Sequence, residues 1–225
     1  MPDHPASPVD RRLGRYAVGA RFYDLLSLER PVYRPGRLLG VQLLGLQPGD
    51  RVLDLGCGTG LNLPLLRAAV GEQGRVVGLD LSPQMLARAR HRVRSAGWGN
   101  VHLHQGDAAA VPLDQLLPGQ FDAVLMTYTM SIIEDYRKAW ERCVAALAPA
   151  GRIALVDLGL PRGRWAPLRP LANLACRIGG ADPTRAPWEL QSQHLRQVEH
   201  AILLGGHVHI AGWAERRSPR PGQNP

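Results

Sequence analysis

Short apolar runs alternate with longer amphipathic stretches through the middle of the chain. Five runs have the length of buried strands and are bounded mostly by Gly, Pro or Asp; they cover residues 51–55, 75–79, 101–105, 121–126 and 152–157. The stretches between them have helical periodicity, and one opens with Ser82 followed by Pro83, which favours a helix start. Strands that alternate with helices predict an α/β fold built on a doubly wound, mostly parallel sheet.

Two further segments extend this pattern. Ser131, followed three residues later by Glu134, has the form of a capping box and predicts that a helix begins there. Apolar runs at 198–203 and 207–211 flank a Leu-Gly-Gly turn at 204–206. This arrangement predicts an antiparallel terminal hairpin that brings the sheet to seven strands.

Two histidines, His207 and His209, lie on the same face of the last predicted strand. Their imidazoles could contribute to a metal site, but no Cys or acidic residue adjoins them in sequence. We therefore interpret this face as solvated and predict no metal site.

The composition bounds the class of protein. The chain has 225 residues, 45% hydrophobic and 20% charged, as expected of one globular domain with modest additions. It contains no run of 18 apolar residues, so we expect no transmembrane helix, and its first residues lack the pattern of a secretory signal. The three cysteines stand far apart without a CxxC pair, which argues against a zinc ribbon and fits a reducing compartment. We expect a cytoplasmic protein.

The formal net charge is +8, and the excess is concentrated near the C-terminus, where residues 160–225 carry nine arginines and four acidic residues. No contiguous basic block with interleaved aromatic residues occurs, so we expect no nucleic-acid partner. An anionic membrane surface or a small anionic substrate is the preferred partner.

The N-terminal stretch at 9–28 is basic and amphipathic. It predicts either a helix that packs on the sheet domain or a lid over the active site. Such a lid would also contact the inner face of an anionic membrane. Tyr23 lies in this stretch, where an aromatic ring could stabilise a cationic group. We therefore divide the chain into an N-terminal segment, 1–40, a main domain, 41–216, with an insert at about 160–195, and a disordered tail, 217–225.

The residues with the clearest chemical signature follow the first predicted strand, where Gly56, Gly58 and Gly60 form a glycine-rich turn that leads into a helix. Glycines there let a ligand approach the backbone, and the free N–H groups of the helix start face that ligand. Asp80 ends the second predicted strand, where a carboxylate can accept both hydroxyls of a ribose. The pattern indicates a nucleotide-like cofactor.

The glycine spacing is G-x-G-x-G, not G-x-G-x-x-G, and an acidic residue, Asp54, precedes it within the strand. Together with the later segments 105–109, 121–126 and 147–153, this resembles the class I S-adenosylmethionine (SAM) methyltransferases. The resemblance implies a Rossmann-like methyltransferase fold with SAM as cofactor.

The resemblance also implies residue roles. It places the methionine part of SAM at Asp54 and the three glycines, the ribose at Asp80 with the adjoining Leu81, and the adenine at Asp107 and Ala108. Thr127 and Tyr128 would face the sulfonium and the methyl group. The candidate catalytic residues are Tyr128, Asp157 and Tyr23.

At a finer level, the insert and the residues that follow the strands resemble the bacterial phospholipid and betaine-lipid N-methyltransferases. This implies methylation of the amine head group of a phospholipid or a related lipid. The alternative is a C- or O-methyltransferase of a quinone-like or other small molecule. A third hypothesis is a non-catalytic SAM-binding partner subunit. The sequence leaves the exact acceptor and the oligomeric state open.

Overall fold

The computed structural model describes residues 32–215. The predicted N-terminal amphipathic helix with Tyr23 and the predicted tail at 217–225 lie outside the described residues. Within 32–215, no helix is both long enough and apolar enough to span a bilayer.

Five α-helices and seven strands, joined by loops and four short 3-10 helices, make up the described part of the chain. The helices are α1 (Arg34–Leu44), α2 (Leu63–Val70), α3 (Pro83–Ser95), α4 (Tyr136–Ala145) and α5 (Arg169–Ile178). The strands are β1 (Arg51–Leu55), β2 (Arg75–Asp80), β3 (Val101–Gln105), β4 (Phe121–Thr127), β5 (Leu147–Leu158), β6 (Leu195–Leu203) and β7 (Val208–Glu215).

The strands form one sheet in the order β3-β2-β1-β4-β5-β7-β6. The first five strands are parallel, whereas β7 pairs antiparallel with both β5 and β6. The predicted α/β fold with its terminal antiparallel hairpin is therefore confirmed. The chain runs to opposite sides from β1 and β4, so their carboxyl ends border the crevice where ligands bind in sheets of this kind.

Alternate residues of the central strands supply two separate cores. Leu53 and Leu55 face a cluster that includes Trp140 of α4, and Val52 faces a second cluster that includes Leu66 of α2. Because both faces are covered by helices, the parallel strands can be apolar throughout. This burial holds the central strands in place. The polar residues of the site lie at the carboxyl ends of these strands.

Two predictions about local structure are wrong. The helix expected at Ser131 begins at Tyr136, and its N-cap is Asp135, whose carboxylate accepts the Lys138 N–H at 3.2 Å. Ser131 is instead buried and bonded to the distant Asp157, so it is not available as a cap. A tertiary hydrogen bond has replaced the local one.

The face of β7 and its preceding turn that carries His207 and His209 is buried, not solvated. The His209 ring stacks on Trp188 with centroids 3.6 Å apart, and its Nδ1 lies 3.0 Å from Nε2 of His200. Burial, with the neighbouring His200, lowers the pKa of His209 to about 4. No group of three or more His, Cys, Asp or Glu within 32–215 is arranged to hold a metal ion.

Candidate active site

The turn after β1 brings three glycines to the carboxyl edge of the sheet, and their surroundings differ. A Cβ on Gly56 would collide with the Thr129 hydroxyl, so this glycine allows close packing against the chain itself. Gly58 has a φ of 55° and open space within 4 Å of the position where a Cβ would lie. Gly60 would meet Leu63 at 2.6 Å. Of the three, Gly58 is therefore the one that presents bare backbone to a ligand.

Asp80 connects this turn to the end of β2. Its Oδ2 accepts the N–H of Gly58 and its Oδ1 accepts the N–H of Ser82, both at 2.8 Å. Burial raises the pKa of Asp80, while these two backbone hydrogen bonds lower it. Each oxygen retains a second acceptor position, because a carboxylate oxygen has two lone pairs. Asp80 thus fixes the glycine turn and remains able to accept hydroxyl groups.

A buried polar network lies beside the turn. Asn62, at the start of α2, donates from Nδ2 to Asp54 Oδ1 at 2.6 Å and to Thr127 Oγ1 at 2.9 Å. The Arg37 guanidinium of α1 donates to Asn62 Oδ1 at 2.6 Å and to Thr127 Oγ1 at 3.0 Å. Side chains from α1, the start of α2, β1 and β4 therefore meet in one cluster, although these elements are far apart in sequence.

Within residues 32–215, Oδ2 of Asp54 is the atom of this network that has no hydrogen-bond partner. The side chain is fully buried, and burial raises the pKa of its carboxyl group from 3.8 to about 7, although Asn62 and Arg37 act in the opposite direction. A buried acceptor without a donor is costly and normally has a partner. An ammonium group placed at Oδ2 would supply both a hydrogen-bond donor and a positive charge that balances the carboxylate.

The residues expected at an adenine lie at the next strand end. Asp107, after β3, is exposed, and its Oδ1 accepts the Ala109 N–H at 2.8 Å. Ala108 is buried beside it. Leu81, after β2, is half-buried, and its carbonyl accepts the Gln105 side-chain amide at 3.4 Å. The expected cofactor residues therefore follow consecutive strand ends along one edge of the sheet.

Tyr128 follows Thr127 at the end of β4 and has a φ of 56°, which is unusual for a residue other than glycine. Its hydroxyl donates to the carbonyl of Tyr33 at 2.7 Å, and the two rings lie 5.1 Å apart. The Arg37 guanidinium lies 5.6 Å from the centre of the Tyr128 ring. Tyr128 thus stands between the buried network and the segment that precedes α1.

Asp157, the third candidate, lies near the end of β5 and is fully buried. Its Oδ1 accepts the Ser131 hydroxyl at 2.6 Å and the Leu158 N–H at 2.8 Å, and its Oδ2 accepts the Ser131 N–H at 2.9 Å. Burial raises the pKa of this carboxyl group. The structure therefore places Asp157 behind the segment after β4, bonded within the chain. Tyr23 lies outside the described residues.

Sequence reasoning missed Arg37 and Asn62. Asn62 carried a signal, since it is a polar residue two positions after the last glycine of the turn in an otherwise apolar helix start. Arg37 carried none, because the burial that distinguishes it from the exposed Arg34 depends on the tertiary fold.

Comparison with known proteins agrees with this geometry. Residues 52–151 match the family described as a methyltransferase domain. The 2-phytyl-1,4-naphtoquinone methyltransferase of Thermosynechococcus vestitus is 37% identical over 145 residues, which are 64% of this chain and 62% of that protein. The demethylmenaquinone methyltransferase of Shouchella clausii is 36% identical over 138 residues, 61% of this chain and 57% of that protein. The chain thus spans about three fifths of the length of these relatives.

Solved structures show the same fold. A SAM-dependent methyltransferase from Aquifex aeolicus aligns with a TM-score of 0.58 and 20% identity, covering 92% of this chain and 98% of that one. The YcgJ protein of Bacillus subtilis aligns with a TM-score of 0.62 and 15% identity, covering 83% of this chain and all of that one (100%). Residues 52–151 therefore match a methyltransferase domain, and a solved SAM-dependent methyltransferase of low sequence identity has the same fold.

Proposed function

We propose that the chain transfers a methyl group from SAM to a ring carbon of a reduced, quinone-type acceptor. The observation that carries the SAM part is the unpartnered Oδ2 of buried Asp54 beside the open space at Gly58. The names of the relatives that are 37% and 36% identical support the quinone-type acceptor. This is the alternative that the sequence left open, and it has more support than methylation of an amine head group.

The chain's own residues fit the parts of SAM. Asp54 would hold the ammonium of the methionine part, and Asp80 the ribose hydroxyls, while Asp107 and Ala108 would contact the adenine. When bound, the cofactor supplies a methyl group on a sulfonium, which a nucleophile displaces in line. The protein contributes position and charge around the two reactants.

The acceptor side is assigned to the end of β4, where Thr127 and Tyr128 lie next to Arg37. A ring carbon becomes nucleophilic when a hydroxyl group on the ring ionises. A nearby cation favours the ionised form, since opposite charges lower the pKa of an acid. Arg37 is buried within 5.6 Å of the Tyr128 ring and would stabilise a phenolate acceptor. We assign the removal of the proton from the acceptor's ring hydroxyl to solvent, because Asp157 is fully buried and bonded within the chain.

The same arginine weakens the case for an amine acceptor. An aromatic ring can hold a methylated ammonium by cation–π contact. At Tyr128, however, a guanidinium already lies over the ring, and a second cation would be repelled. The phospholipid and betaine-lipid resemblance therefore has less support from the site than the quinone-type acceptor. The third hypothesis, a non-catalytic SAM-binding partner subunit, is tested by the same assay.

The proposal is tested by incubating the purified full chain and SAM with a reduced short-chain 2-prenyl-1,4-naphthoquinone or with phosphatidylethanolamine vesicles, followed by mass spectrometry. We expect a gain of one methyl group on the naphthoquinol and none on the phospholipid. The Asp80→Ala variant should lose about tenfold or more in SAM affinity by calorimetry, because hydrogen bonds to a charged acceptor vanish.

A variant Arg37→Met should lower the yield of methylated naphthoquinol, because it removes the cation assigned to the acceptor. Its matched control is Arg34→Met, which removes an exposed charge from the same helix and should leave the yield unchanged. Methylated phosphatidylethanolamine without methylated naphthoquinol would restore the amine reading. SAM binding without either product would leave only the partner-subunit hypothesis.

A further inference from the structure

The helix α5, at Arg169–Ile178, turns large apolar side chains away from the protein. Leu171 is 67% exposed, Leu174 is 56% exposed and Ile178 is 80% exposed. They stand at i, i+3 and i+7, so they form one stripe along the helix. Scattered exposed leucines are common on protein surfaces, but a stripe of three on one helix marks a surface that another apolar phase covers.

The opposite side of α5 is anchored. Cys176 is buried in a cluster that includes Val156 of β5 and Val208 of β7. Ala172 is buried as well. Tyr128 packs against the same cluster. The helix is therefore held at the carboxyl edge of the sheet, on the acceptor side of the site, and its exposed stripe is not the result of a loosely attached segment.

The segment that contains the stripe is rich in arginine. Residues 160–181 contain no acidic residue. Their four arginines are all exposed, and they are Arg162, Arg164, Arg169 and Arg177. The Arg164 guanidinium lies 5.6 Å from the centre of the half-buried Trp165 ring. The segment 162–178 thus combines leucine, tryptophan and arginine, which is the composition of a segment that lies in a membrane interface.

We propose that the apolar stripe of α5 and its arginines dock onto a membrane surface rich in anionic phospholipid. Charge complementarity selects this occupant. A second copy of the chain would bring the same four arginines together across a symmetric contact. Residues 1–31 carry five arginines and four acidic residues, and so lack the net negative charge that these arginines favour. An anionic lipid surface supplies both the negative charge and an apolar layer beneath it.

This inference stands apart from the proposed reaction, because vesicle binding is measured without SAM or an acceptor. Docking through α5 would nevertheless orient the protein so that the acceptor side of the site faces the bilayer. It also assigns the membrane contact to the insert after β5, in addition to the N-terminal stretch from which the sequence predicted it.

The test is sedimentation of the full chain with vesicles of phosphatidylglycerol and phosphatidylcholine, compared with phosphatidylcholine alone. We expect binding to the anionic vesicles, and a decrease in binding as salt is raised. The variant Leu171→Asn/Leu174→Asn/Ile178→Asn should lower the partition coefficient by about tenfold or more. The variant Arg164→Gln/Arg169→Gln should lose the preference for anionic lipid.

The matched control is Val198→Asn/Ile202→Asn on β6, where the two side chains are 48% and 55% exposed. This control should bind as the wild type does. Unchanged vesicle binding by the triple variant would overturn the proposal. It would also be overturned if the triple variant changed a wild-type dimer into a monomer by light scattering, or exposed residues 1–31 to protease, since the stripe would then be covered by the chain itself.

Discussion

At the scale of single residues, the burial of Asp54 makes the stability of the fold depend on pH. Its folded pKa of about 7 is far above the ordinary 3.8, because the carboxyl group is buried. In the unfolded chain the group ionises from about pH 4, whereas in the fold it stays protonated up to about pH 7. Stability of the ligand-free protein is therefore lost across this window as pH rises.

Asp54→Asn should remove this loss, since an amide can still accept from Asn62 and carries no charge. At pH 8 we expect a gain of up to ~4 kcal/mol, which is about 8–16 °C in Tm for a domain of this size. Near pH 4 the difference should disappear. The same variant should bind SAM more weakly, because no anion would face its ammonium. Scanning calorimetry at pH 4, 6 and 8 measures the first effect, and an equal Tm difference at every pH would contradict it.

Arg37 is the second residue whose role follows from the network. Arg37→Met removes the donor to Asn62 Oδ1 and Thr127 Oγ1, and with it a positive charge that lowers the pKa of Asp54. We expect SAM affinity to fall about tenfold or more. The pH at which binding is half-maximal should also move upward. Titration calorimetry across pH 6–9 distinguishes this electrostatic effect from a general loss of order in the site. A loss of order would weaken SAM binding without moving the pH of half-maximal binding.

At the scale of elements, one hydrogen bond determines where a helix begins. Ser131 bonds to Asp157 across 26 positions of sequence, and the chain after β4 does not become helical until Tyr136. Ser131→Ala would leave a buried carboxylate with one donor fewer. The free energy of unfolding should decrease by about 1–3 kcal/mol. Urea unfolding measures it, with Ser95→Ala, at the exposed end of α3, as the control that should change little.

The sequence predicted those features that short stretches determine by themselves. Asp80 could be placed at a strand end because the apolar run before it and the Ser-Pro helix start after it fix its position. Ser131 was misplaced because a capping box is a local pattern, and the partner that overrides it lies on β5. His209 was misplaced for the same reason, since the residues that bury it, Trp188 and His200, belong to other segments.

The candidate cofactor site also contains features that the sequence could predict and features that it could not. Its glycine turn and its acidic strand ends could be predicted because the parallel strands all end at one edge. The Arg37–Asn62–Thr127 contacts could not, since they depend on how α1 crosses the sheet. Local sequence determines which residues reach the edge of the sheet, and packing determines which of them meet.

At the scale of the whole molecule, a ligand that binds only the folded chain must raise its stability. SAM at about 100 times its dissociation constant should add ~2.7 kcal/mol, or about 5–10 °C in Tm. The gain should be smaller at pH 6 than at pH 8, because protons compete for Asp54. Differential scanning fluorimetry with and without SAM checks this. Asp80→Ala, with an affinity about tenfold lower or weaker, should show no more than about half of the shift at the same SAM concentration.

The order of the strands has a consequence for biosynthesis. The last strand in the sequence, β7, lies between β5 and β6, so β6 has no partner in the sheet until β7 is inserted. A ribosome releases β7 only after β1 to β6 have emerged. During that interval β5 presents an open edge, and edges of this kind attract other chains. The nascent polypeptide should therefore complete its sheet only after β7 has emerged, and until then it should bind chaperones that cover exposed strands.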